Sequence, residues 1–205
     1  MIAGINSRIA LERKISVDNN SQAANDGEST ADARNDPAVF AQLYRRHYDL
    51  VFRYCVHRLF QRHAAEDVTS EVFFKVVENF RDFKGNERQF RNWLYKIATN
   101  AVNDHLRRAA RRNGLLRAAG QRARNEAADC QDSAGESAER LAVLKQAMLT
   151  LKPRYQTIIT LRFFENLRLA EIAEVLSSSP GTVRSQLARA LAKLREKITS
   201  AQQEA

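Results

Sequence analysis

The stretch from Leu169 to Glu196, LAEIAEVLSSSPGTVRSQLARALAKLRE, constrains this chain more than any other. Leu169, Ile172, Ala173 and Leu176 recur at helical spacing, and the pattern breaks at Ser177-Ser178-Ser179. It resumes at Val183, Leu187, Ala190, Leu191 and Leu194, again in steps suited to a helix. Ser179 offers a side-chain oxygen to an orphan helix N–H, and Pro180 suits the first helical position, where no N–H is needed. Two short amphipathic helices joined by a tight turn make a helix-turn-helix candidate. Its second helix would enter a major groove with Thr182, Arg184, Ser185, Gln186 and Arg189 off the apolar stripe. A helical hairpin with solvated arginines reads the same way on this stretch alone, so the remainder of the chain decides.

A chain of 205 residues forms one domain or two small ones. Seven glycines and three prolines suit long helices better than a fold of sheets and turns. The formal charge of +9 points to a polyanionic partner, nucleic acid first and an anionic membrane surface second. No apolar run approaches the length of a membrane span, which argues against insertion. MIAGINSRIALERKISV lacks the charged start and apolar block of a signal peptide. Cys55 and Cys130 stand in unrelated settings and give no disulfide framework, so a cytoplasmic protein is expected. His47, His57, His63 and His105 form no metal-ligand pattern, and there is no glycine-rich phosphate loop or nucleophile elbow. No catalytic residue, metal or cofactor is expected.

Taken in order, residues 1–35 are polar and poor in aromatics, and a mobile extension is expected there. Asp36-Pro37 starts a helix whose stripe includes Phe40, Leu43, Tyr44, Leu50, Val51, Tyr54, Cys55 and Leu59. A second helix is predicted from Ala64 to about Phe80, burying Val68, Val72, Phe73, Val76, Val77 and Phe80. Glu66, Asp67 and Glu71 load its first turns with charge that the helix dipole favours. RDFKGNERQFR, residues 81–91, reads as a loop around Gly85. A third helix follows, with Phe90, Trp93, Leu94, Ile97, Ala101, Val102 and Leu106 on its apolar side. Its other side offers Arg91, Lys96, Asn100, Asp104, Arg107 and Arg108. Beside a loop carrying Phe83, Lys84, Asn86 and Arg88, this is the mix of cations and aromatics that holds single-stranded nucleic acid. Trp93 reads mainly as core.

Seven arginines and no acid lie between His105 and Asn125, after which Glu126, Asp129, Asp132 and Glu136 reverse the sign. Gly114, Gly120 and Gly135 interrupt the periodicity, marking a linker. Short helices then run from near Glu139 and from Pro153, Asn166 ends the latter, and TSAQQEA looks frayed. The fold class is all-α, two small helical domains at 36–110 and 139–198 joined by a flexible linker at 111–138.

AEDVTSEVFFKV, FRNWLYKIATNAVNDHLRR and LKPRYQTIITLRFFENLRLAEIAEVLSSSPGTVRSQLARALAKLRE together resemble regions 2 and 4 of an extracytoplasmic-function sigma factor of the sigma-70 superfamily. The resemblance implies a protein that binds core RNA polymerase, directs it to promoter DNA and helps open the duplex without catalysing a bond change. It implies docking on polymerase around Asp67, Glu71, Phe74 and Lys75. It gives the −10 element, as melted strand, to Phe83, Lys84, Asn86, Arg88, Trp93, Lys96, Asn100, Asp104, Arg107 and Arg108. The −35 element, as duplex, falls to Thr182, Arg184, Ser185, Gln186 and Arg189. It also implies an anti-sigma partner covering the polymerase-binding faces. The chain departs from the family at Ser177-Ser178, where a glycine and an apolar residue are usual, and at Gln186, where arginine is common. The alternative is a helix-turn-helix regulator that binds duplex DNA without being a polymerase subunit.

Overall fold

The computed structural model describes residues 37–118 and 136–203, and every regular element among them is helical. Helix α1, Pro37–Leu59, opens on proline and buries Leu43, Val51, Tyr54, Cys55 and Leu59. Phe60 ends it in the left-handed region at φ 55°, its N–H donating to the Val56 carbonyl at 2.8 Å. Helix α2, Arg62–Asn79, buries Ala65, Val68, Thr69, Val72, Phe73 and Val76. A 3₁₀ turn, Phe80–Asp82, leads to helix α3, Glu87–Ala118. Phe90, Leu94, Ala98, Ala101 and Val102 of α3 are buried. The two alanines keep that seam thin enough for α1 and α2 to close over it, and the Tyr54 and Thr99 hydroxyls meet there at 2.8 Å.

Three expectations change here. Val77 is 55% exposed rather than buried, because it lies one residue past the inward Val76 and a helix turns about 100° per residue. Helix α2 starts at Arg62, two residues early, so its first turn holds no acid. Glu66 instead meets Arg62 at 3.1 Å and His63 at 3.5 Å. The loop before α3 is also shorter than expected. Asn86 accepts from the Gln89 N–H at 3.0 Å, and the Gln89 side chain accepts from the Asn86 N–H at 2.9 Å. That reciprocal cap starts α3 at Glu87.

The second body comprises α4, Glu136–Thr150, then α5, Pro153–Ile159, which runs into a π-helical turn, Thr160–Phe164. Asn166 at φ 54° closes that element. Helices α6, Leu169–Val175, and α7, Pro180–Gln203, complete it, so α7 continues through most of the expected frayed tail. Tyr44, Leu141, Leu149, Phe163 and Leu191, assigned to apolar stripes, are instead exposed. Helices α3 and α4 also extend into both ends of the expected linker. The expected N-terminal extension, the middle of the linker and Cys130 lie outside the described residues.

The two bodies pack together. Buried Ile158, Leu161, Leu167 and Ile172 share one apolar core with Tyr54, Leu94 and Val102. Polar groups cross the seam beside it. Glu165, its side chain wholly buried, accepts from the Tyr95 hydroxyl at 2.8 Å and from Arg53 at 3.2 Å. Glu171 accepts from Arg91 at 2.6 Å, and Glu174 from the Asn92 amide at 2.7 Å. Among the described residues, no helix is long and apolar enough to cross a membrane.

Two carboxylates tie the first body's helices together. His47 lies 2.6 Å from Glu87 and holds its carboxyl below the usual range, against the opposing effect of burial. Lys75 and Arg108, at 2.7 and 3.0 Å, do the same for Glu71. A depressed carboxyl contributes stability above its unfolded value near 4.5, and that contribution is lost as pH falls through the folded value. Thermal melts of the Glu71→Gln/Glu87→Gln double variant should therefore show lower stability than the parent at neutral pH. Between about pH 5 and pH 3 its melting temperature should fall less steeply than the parent's.

Candidate nucleic-acid interface

The turn before α7 is built from side-chain and backbone hydrogen bonds. Ser178 N–H donates to the Ala173 carbonyl at 2.8 Å and Ser177 N–H to the Glu174 carbonyl at 3.2 Å, closing the end of α6. Ser177 sits at φ 48°, a left-handed conformation that glycine adopts without the Cβ penalty. Ser179 Oγ then accepts from the Thr182 N–H at 3.1 Å and lies 2.8 Å from the Thr182 hydroxyl, capping α7. Val183 and Ala190 are fully buried and fix the helix's rotation. Arg184, Ser185 and Arg189 consequently face solvent, together with Thr182. Gln186 is half-buried, and its carbonyl accepts from Arg154 Nε at 2.7 Å, so Arg154 brings a guanidinium beside a position where arginine is usual in the family. Ser185 donates to the Thr182 carbonyl at 3.0 Å. The outward face of α7 thus carries two arginines above a helix N-terminus, able to bond phosphates or guanine edges.

The first body presents a second polar surface. Trp93, half-buried, lines a groove of about 380 Å³ with Lys75, Asn79, Lys96, Ile97 and Asn100. Lys96, Lys75 (paired with Glu71 at 2.7 Å) and the Trp93 indole supply the cations and aromatic surface that suit a strand whose bases stack while its phosphates stay in solvent. Sequence reasoning left out Asn79 and gave Lys75 to polymerase alone. The signal for both was present, since α2 runs antiparallel to the start of α3 and residues four apart share one helix face. Lys84 and Arg88 are exposed beside this region.

Several expected strand contacts are already engaged. The Phe83 ring lies 5.1 Å from Trp93 and 5.4 Å from Phe90, half-buried rather than offered as a free platform. A Cβ at Gly85 would come within 2.7 Å of Phe83, so the loop folds over that ring only because this position has no side chain. Asn86 serves as the helix cap described above, Arg107 pairs with Asp104 at 3.0 Å and Arg108 with Glu71 at 3.0 Å. On α2, Asp67 is exposed and Phe74 is 65% exposed, next to Glu71 and Lys75. Exposed Val77 extends that apolar patch. Among the described residues, no group of three or more His, Cys, Asp or Glu side chains is arranged to hold a metal.

The left-handed serine gives a direct test of the turn. Ser177→Gly removes the Cβ penalty of about 1–2 kcal/mol and adds part of that back as unfolded-state entropy. Urea unfolding should show a net gain of about 0.5–1 kcal/mol. Ser179→Ala, which removes the cap, should cost about 1 kcal/mol.

Two family matches fall on these two bodies. The Sigma-70 region 2 model matches residues 43–112, and the Sigma-70, region 4 model matches residues 141–194. The ECF RNA polymerase sigma factor SigW of Bacillus subtilis is 30% identical over 177 residues, covering 80% of this chain and 91% of that protein. The ECF RNA polymerase sigma factor BldN of Streptomyces coelicolor is 33% identical over 153 residues, 75% of this chain and 58% of the relative. The fold resembles that of the sigma factor RpoE of Bartonella quintana, solved in complex with the anti-sigma factor NepR. That likeness has a TM-score of 0.61 at 19% identity and covers 78% of this chain and 96% of the other. With both regions present in order and a relative matched over nearly its whole length, this chain belongs to the extracytoplasmic-function RNA polymerase sigma factors of the sigma-70 family.

Proposed function

We propose that this chain is a promoter-specificity subunit, joining core RNA polymerase, placing it on a promoter and stabilising the opened duplex. The observation that carries this is the pairing of two different nucleic-acid surfaces on two helical bodies. One is the Trp93–Lys96–Asn100 groove, and the other is the capped α7 with Arg184 and Arg189 facing out. The groove suits the melted −10 strand, because an indole wall gains contact only with an unstacked base. Binding that form alone shifts the duplex–bubble equilibrium toward opening. The α7 face suits the −35 element as duplex, whose major groove admits a helix. Unit boundaries near residues 36–110 and 139–198 go with this division.

Docking on polymerase falls to the outer face of α2. Phe74 and Val77 form an exposed apolar pair flanked by Asp67, Glu71 and Lys75, the kind of mixed patch that a protein partner covers. The activity makes and breaks no covalent bond in this chain, so it is not an enzyme. It operates where polymerase and promoter DNA are, in the cytoplasm. An anti-sigma partner is part of the same proposal, supported by the RpoE fold neighbour having been solved with one.

Run-off transcription from a randomised promoter library with core polymerase tests this reading. The chain plus core should enrich one two-part promoter, and core alone should enrich none. Arg184→Ala and Arg189→Ala should each lose about 1–3 kcal/mol of discrimination at upstream positions if they bond base edges. Trp93→Ala should leave upstream binding intact and weaken opening by about 1–3 kcal/mol. Tight, promoter-specific duplex binding by the chain without core, and no transcript with it, would refute the proposal.

A further inference from the structure

Glu71 has both carboxylate oxygens engaged, and both partners are cations. Lys75 Nζ, one turn on along α2, meets Oε1 at 2.7 Å, and the Arg108 guanidinium of α3 meets Oε2 at 3.0 Å. The two cations hold the carboxyl below its usual range against the opposing effect of burial, so Glu71 is charged at neutral pH. None of the three side chains is closed off from solvent. The cluster lies at one end of the Trp93 groove. Lys75 itself lines that groove, and Arg108 follows the groove residue Asn100 by about two turns of α3.

From this geometry we infer that Lys75 and Arg108 form a seat for one backbone phosphate of a DNA strand, which Glu71 occupies until the strand arrives. The inference rests on the strand-groove reading above and extends it past Asn100. An ammonium and a guanidinium brought to one point from two helices repel each other unless an anion stands between them. A phosphodiester carries one negative charge on two non-bridging oxygens, as a carboxylate does, and accepts the same charge-assisted bonds. Glu71 is therefore a built-in stand-in for that phosphate. Contacts to phosphate carry no sequence, so the seat positions the strand and leaves reading to the groove.

Glu71 is weak enough to be displaced. Ion pairs open to solvent are worth at most about fivefold each in an equilibrium constant. A strand already held at Trp93 and Lys96 meets the seat at high effective concentration, and its phosphate takes over both cations. A phosphate that arrives without the groove has no such help, so Glu71 acts as a brake on indiscriminate capture. The same three side chains also tie α2 to α3, but that structural role predicts the opposite sign. Losing a tie weakens a surface built on both helices, whereas losing a competitor strengthens it.

Fluorescence anisotropy of a labelled oligothymidylate of about twelve nucleotides, titrated with the full-length chain, tests the seat. Glu71→Gln should bind about three- to thirtyfold tighter than the parent at low salt. Its slope of log affinity against log salt should steepen by about 0.7, the share of one added phosphate on a single strand. Glu71→Ala, which leaves no amide to bond Arg108, should behave the same way. Glu78→Gln removes the same charge from the same helix and joins neither pair, so it should change binding by less than about twofold. In a Lys75→Ala/Arg108→Ala background, Glu71→Gln should add no more than Glu78→Gln does. Circular dichroism melts establish that each variant is folded at the assay temperature. Folded Glu71 variants that bind no tighter than Glu78→Gln, or a gain that persists without the two cations, overturn the seat. Trp93→Ala tests the groove separately and should weaken the parent and Glu71→Gln alike. If it weakens neither while the Glu71→Gln gain stands, the seat holds and the strand-groove reading fails.

Discussion

Everything in this molecule depends on α3 being buried along one thin seam. Ala98, Ala101 and Val102 are fully enclosed, Leu94 nearly so, and α1 and α2 close over them. Only small side chains at two of those positions let three helices approach this tightly. That seam fixes the rotation of α3 and so decides the job of every other residue on it. Trp93, Lys96 and Asn100 fall on the groove side, while Arg91, Asn92 and Tyr95 fall toward the second body. One helix therefore carries both the groove proposed for melted strand and the surface that meets the second body.

The two surfaces proposed for nucleic acid differ in ways that match the targets proposed for them. A duplex reader needs a rigid helix end, and α7 has one. Its N-terminus is capped by Ser179, and its rotation is set by buried Val183 and Ala190. A strand reader needs an aromatic wall with cations around it, and the groove proposed for that role is lined by Trp93, Lys75 and Lys96. Phe83 and Phe90 pack behind Trp93 and hold its ring in place. Aromatics that look interchangeable in sequence thus separate into one that faces the groove and two that support it.

The helix-turn-helix was legible because its signals are local: periodic apolar residues, a capping serine and a proline at the first helical position. The Asn86-x-x-Gln89 cap was equally local, but Gly85 and the charges around it read as loop and hid it. The exposure of Val77 follows from a rotation of one residue, which periodicity resolves poorly where Val76 and Val77 are adjacent. The seam between the bodies was not legible. Glu165, Glu171 and Glu174 look like ordinary surface acids, and their partners stand about 70 to 112 residues away. No spacing rule reaches that far. Similarly, Arg108 carries the right chemistry for nucleic acid, and only coordinates reveal that Glu71, 37 residues away, already pairs with it.

The central claim is that one body holds melted strand and the other holds duplex. Photocrosslinkers at Lys96 and at Arg189, in complexes of the full chain with core polymerase on one promoter, test it most directly. Arg189 should crosslink to the upstream duplex at low temperature, where the promoter is closed, and also at high temperature. Lys96 should crosslink to the non-template strand only once that promoter has opened. Equal crosslinking of Lys96 to closed duplex and open strand, or crosslinking of Arg189 to the melted segment, would contradict it.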